Sequence, residues 1–68
     1  MNWDRIEGSW MDFRGKVKER WGKLTNDDLD VIRGKRDQLM GRIQERYGRT
    51  RDEADREIND WLDEEDDR

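Results

Sequence analysis

The 68-residue sequence contains neither cysteine nor histidine. The first absence excludes a disulfide framework, and the two together exclude a cysteine/histidine zinc site. Without histidine, the side chain that most often moves protons near neutral pH is missing. The single serine, Ser9, has no imidazole to activate it and reads as a helix cap rather than a nucleophile. Long apolar runs are missing too. The longest are pairs such as Trp10-Met11 and Val31-Ile32, far short of the ~20 residues that a membrane span needs. Met1-Asn2-Trp3-Asp4 holds no basic stretch leading into an apolar one, so no secretory leader is expected. The lack of a staple in so small a chain fits a reducing, cytoplasmic setting.

Apolar residues are scarce at 29%, against 50% charged, a balance close to that of disordered chains. Four tryptophans oppose that reading. With Phe13 and Tyr47 they offer rings of ~150–250 Å² each, enough to seed a small core. The expectation is one marginally stable domain over residues 1–68, too small to hold more. The net charge of −4 is unevenly placed: residues 1–51 hold 13 Lys/Arg and 9 Asp/Glu, residues 52–68 hold 2 and 10. This reads first as a solvated basic surface followed by an acidic terminal helix. The sharper alternative is a basic face for phosphates, screened by the acidic end.

The dominant pattern is a repeat with a period of 26 residues. Phe13-x-Gly15-Lys16-Val17-x-Glu19-Arg20-Trp21-Gly22-Lys23 answers Leu39-x-Gly41-Arg42-Ile43-x-Glu45-Arg46-Tyr47-Gly48-Arg49, and Ile6-x-Gly8 answers Ile32-x-Gly34. Such self-similarity sets the architecture. Within the first unit, about 3–25, Trp3, Ile6, Trp10, Phe13, Val17, Trp21 and Leu24 fall at steps of three and four. Leu29, Ile32, Leu39, Ile43 and Tyr47 repeat the stripe in the second unit, about 29–51. Ala54, Ile58 and Trp61 or Leu62 mark a third segment. The period is helical throughout.

Thr25-x-x-Asp28 and Thr50-x-x-Glu53 are capping boxes in sequence, and Ser9-x-x-Asp12 is a weaker one. Gly22 and Gly48 follow periodic runs and read as left-handed helix ends. Gly15 and Gly41 read as points of close helix approach or bending, Gly8 and Gly34 as breaks. The reading is an all-α bundle of four to five short helices, near 3–8, 10–21, 26–33, 35–47 and 51–63, arranged as two helical hairpins from the duplication. Residues 64–68 form a frayed acidic tail. The expected core is Trp3, Ile6, Phe13, Val17, Trp21, Leu39, Ile43, Tyr47, Ile58 and Trp61.

No catalytic, cofactor-binding or metal-binding set emerges. Asp27, Asp28 and Asp30 lack the alternation and central glycine of a calcium loop, and suit the first turn of a helix instead. The glycines, seven apart, match no phosphate-binding loop. Two binding readings remain. Arg14–Lys23 carries five basic residues and one acid, and Arg33–Arg51 seven against two. Arg14, Lys16, Lys18, Arg42, Arg46 and Arg49 are thus candidate contacts for nucleic acid or another anion. The overall acidity, with a pI near 4.8, weighs against a dedicated nucleic-acid binder. The second reading is an anionic membrane surface under the same basic segments.

Gly15-Lys16-Val17-Lys18-Glu19, Gly22-Lys23-Leu24-Thr25-x-Asp27-Asp28, Gly34-Lys35-x-x-Gln38 and Gly41-x-x-Gln44, in this order and spacing, resemble the CsbD-like family of small bacterial proteins. The resemblance spans about residues 3–61. It implies two helical hairpins, an abundant hydrophilic cytoplasmic protein, and an association with the bacterial general stress response. It implies no activity, ligand or catalytic residue. The expectation is a non-enzymatic monomer without a cofactor, acting by its polar surface as a protectant or through weak contacts with protein clients. A nucleic-acid-associated module is the alternative.

Overall fold

Helix α1 (Trp3–Gly8) starts where the Asn2 side chain accepts the Asp4 N–H at 3.0 Å, satisfying one of the donors that a helix leaves free at its start. The structure, a computed structural model, describes residues 1–66. Four more helices follow: α2 (Trp10–Arg20), α3 (Asn26–Ile32), α4 (Arg36–Tyr47) and α5 (Arg51–Asp66). There is no strand among the described residues. The molecule is the small all-α bundle expected from the helical stripes.

The junctions show which local signals the chain obeys. Thr25 and Asp28 form a full capping box: the Asp28 N–H donates to Thr25 Oγ1 at 3.1 Å, and the Thr25 N–H donates to Asp28 Oδ2 at 2.9 Å. Thr50 and Glu53 repeat the exchange ahead of α5, at 3.2 and 2.8 Å. Ser9 does not. Its backbone (φ −125°, ψ 39°) lies off the extended region that aims a cap side chain at the next turn, and its hydroxyl caps nothing. It is a one-residue break between α1 and α2.

The helix ends correct part of the glycine reading. Gly48 does end α4 in the left-handed region (φ 65°), its N–H donating to Gln44 O at 2.9 Å. Gly22 stays out of that region; Trp21 ends α2 instead, donating its N–H to Val17 O. Burial of the Trp21 ring turns the chain one residue early. Arg33 (φ 47°) and Gly34 (φ 82°) form the left-handed turn between α3 and α4. A Cβ on Gly34 would stand 3.1 Å from Glu7 Cα, so the close approach assigned to Gly15 and Gly41 occurs here. At both of those positions an added Cβ would meet nothing within 4 Å.

The apolar stripes meet in one core. Ile6, Val17, Leu39, Ile43 and Ile58 are fully enclosed, with Phe13, Trp21 and Trp61 beside them. Trp21 and Trp61 pack edge to face, centroids 5.7 Å apart at 63°. Leu24, Leu29, Ile32, Met40, Ala54 and Leu62 complete it. Trp3 and Tyr47, expected inside, are half-buried at its rim. Each keeps a polar tip engaged there: Trp3 Nε1 donates to Gly34 O at 2.9 Å, and Tyr47 Oη accepts the Lys23 N–H at 3.1 Å.

Helix α4 packs between α3 and α5, and α1 packs against α2. Helices α2 and α4 start 26 positions apart, but the turns before them differ, one residue at Ser9 against a left-handed pair at Arg33-Gly34. Helix α5 continues to Asp66, three residues past the expected end. Glu65 explains this, lying one turn beyond Trp61 on the buried face with its carboxylate 3.5 Å from Lys16 Nζ. The Met1 ammonium donates to Leu62 O at 3.0 Å and to the Asp66 carboxylate. Asp67 and Arg68, also expected in the frayed tail, lie outside the described residues.

Candidate interaction surface

The six basic residues singled out from the sequence sit on α2, on α4 and just past the end of α4. Each is engaged by the chain itself. The densest cluster surrounds Asp28, whose side chain is only 3% exposed at the start of α3. Arg46 donates from Nε to Oδ2 and from Nη2 to Oδ1, both at 3.0 Å. This two-pronged contact matches the planar guanidinium to the carboxylate. Arg42 Nη1 lies 3.6 Å from the same Oδ1 and 3.3 Å from Glu45. The Arg46 hydrogen bonds, with the Thr25 N–H, hold the Asp28 carboxyl down at about 2 against an ordinary 3.8, overriding the opposing effect of burial. Asp28 in turn raises the pKa of Arg46.

The other four are similarly occupied. Arg14 reaches Asp30 across the α2–α3 junction at 3.1 Å. Lys16 lies over the Phe13 ring, 5.4 Å from its centroid, and approaches Glu65 on α5. Lys18 donates to Leu24 O at 2.7 Å, tying α2 to the loop that follows it. Arg49 donates to Glu57 at 3.1 Å, and Arg20 stands 3.9 Å from the same carboxylate. Tyr47 lies between the Lys23 ammonium and the Arg49 guanidinium, at 5.1 and 5.9 Å from its ring centroid. All six residues are thus engaged within the chain, five of them with acids and Lys18 with a backbone carbonyl.

Sequence reading missed the role of Asp28 as a tertiary ion-pair centre. The Thr25-x-x-Asp28 spacing marked it as a cap, but its main partner lies 18 residues away on another helix, beyond the three- or four-residue reach of pairs within one helix. Arg36 was missed for the same reason. It donates to Asp55 at 2.6 Å and to Asn59 at 3.0 Å, fixing the start of α4 to α5.

An open groove lies where α1 meets the start of α4, lined by Trp3, Glu7, Lys35, Arg36, Asp37 and Gln38. Lys35 and Glu7 approach each other at 3.3 Å there. Among the described residues no three acidic groups gather to hold a metal ion, and no helix is long and apolar enough to cross a membrane.

The class defined by these features is a small all-helical domain whose charged surface is cross-linked by its own ion pairs. A family model described as CsbD-like matches residues 4–56, and the chain belongs to that family. It is 61% identical over 61 residues to the UPF0337 protein YjbJ of Escherichia coli (strain K12), covering 90% of this chain and 88% of that protein. Against the UPF0337 protein YjbJ of Salmonella typhimurium the identity is again 61%, over 90% of this chain and 87% of the relative. The UPF0337 protein RPA4217 of Rhodopseudomonas palustris is 59% identical over 62 residues, 91% of this chain and 94% of its own. These names state a family and no reaction.

Proposed function

We propose that this protein works without catalysis, as a stress-associated protectant in the bacterial cytoplasm that makes weak contacts with other proteins through its polar surface. The observation that carries the reading is the internal pairing of Arg14, Lys16, Lys18, Arg42, Arg46 and Arg49. A surface whose clustered cations are already engaged within the chain presents a hydrated mosaic rather than a strong positive field. Such a surface stays soluble beside crowded or partly unfolded neighbours without capturing them tightly. A tight partner would need a desolvated anchor, and large exposed apolar side chains are few, Met11 and Val31 among them. The same pairing weakens the nucleic-acid alternative, because a phosphate would have to displace an internal acid from five of these cations and a backbone carbonyl from Lys18.

The test is protection of a labile enzyme. Added before heating or drying, the protein should preserve activity better than an equal mass of albumin. Equal performance by albumin contradicts a specific protective role.

A further inference from the structure

Three methionines occupy three different environments. Met40 lies in the core at 7% exposure, where it borders a small depression with Asp37, Gln44 and Arg51. Met1 is half-buried and packs against the core. Met11, on α2, is 75% exposed. Its direction follows from the helix. At ~100° per residue, Met11 points roughly 160° away from Phe13 and 120° away from Val17, the two side chains that α2 buries. Nothing in the core depends on it. One turn along, Arg14 is held by Asp30 on α3, so this part of α2 is anchored independently of Met11.

A thioether in that setting is an accessible two-electron reductant whose oxidised form is polar. We infer that Met11 is a modification site that accepts an oxygen atom from a hydroperoxide while the fold stays intact. The sulfur lone pair attacks one peroxide oxygen. The S–O bond forms as the O–O bond breaks, and the proton on the transferred oxygen passes to the departing one, which leaves as water or an alcohol. The sulfide is oxidised by two electrons and the peroxide reduced by two. A sulfoxide on Met11 would stand among solvated side chains. On Met40 it would place a dipole in the core, which makes the fold a shield for that residue. Oxygen uptake at Met11 does not depend on whether the chain protects other proteins.

The experiment treats the intact protein with hydrogen peroxide and follows each methionine by peptide mass mapping. The exposures of 75% and 7% set roughly a tenfold faster oxygen gain at Met11 than at Met40, and the difference should vanish in denaturant. Protein oxidised only at Met11 should unfold at the same temperature as untreated protein, and M11L should lose the fast phase. Met40 keeping pace in the folded protein, a fast phase surviving in M11L, or a Tm lowered by more than about 4 °C on Met11 oxidation would each overturn the inference.

Discussion

Arg46, near the end of α4, closes both arms of its guanidinium on the buried carboxylate of Asp28, which at the same time caps the start of α3. One side chain thus satisfies a helix terminus and fastens a second helix to it. Burial gives the contact its weight. A carboxylate removed from water is costly unless its oxygens are met, and here Thr25, Arg46 and Arg42 meet them.

Removing Asp28 should therefore hurt twice, through the lost cap and the unpaired cations. Asp28→Ala is expected to cost about 2–4 kcal/mol, read from urea unfolding. Arg46→Ala should destabilise as well, and the double variant should lose less than the two single losses together. Additive losses would show that the two residues do not act as a unit.

Acid should weaken the fold through the same group. The folded carboxyl titrates at about 2, below its ordinary 3.8. Between these values the unfolded chain binds the proton and the folded chain does not. The contribution is fully present above pH 3.8 and is lost as pH falls through about 2. Glu53, lowered chiefly by its hydrogen bonds with Thr50, acts in the same direction. Melting temperature followed across this window should fall steeply in the wild type and less steeply in Asp28→Asn.

Two glycines should respond in opposite senses. Gly34→Ala meets a positive φ and the Glu7 backbone, and should destabilise by more than ~1 kcal/mol. Gly15→Ala lies within α2 with open space around the new methyl, and should stabilise by about 0.5–1 kcal/mol. Thermal unfolding of the two variants distinguishes them by sign alone.

Trp21 carries the core reading. Its ring is enclosed against Trp61, and Nε1 is buried without a hydrogen-bond partner. Trp21→Ala is expected to cost ~3–5 kcal/mol. Trp21→Phe should cost less, because it removes the unsatisfied donor along with part of the ring. Unchanged thermal unfolding of Trp21→Ala would contradict the core assignment.

Much of the fold was legible because its signals are local. Stripes at steps of three and four place the helices, and Thr25-x-x-Asp28 and Thr50-x-x-Glu53 place two of their starts within a residue. Where the reading failed, tertiary packing had overruled a local preference. Gly22 has the composition of a helix end, yet the chain turns at Trp21 to bury an indole. Gly34 rather than Gly15 or Gly41 is the close contact, because α1 folds back onto the α3–α4 turn. The basic residues were visible in the sequence, but their occupancy was not. The partners of Lys16, Arg42, Arg46 and Arg49 are acids brought near only by folding.

That occupancy is the central claim, and an amide-resolved NMR titration tests it most directly. An isotope-labelled sample would be titrated at low salt with single- and double-stranded DNA and RNA, where phosphate contacts are strongest. The expected result is no localised shift change at Arg14, Lys16, Lys18, Arg42, Arg46 or Arg49. Saturable shifts clustered on those six residues, fading steeply as salt is added, would contradict it.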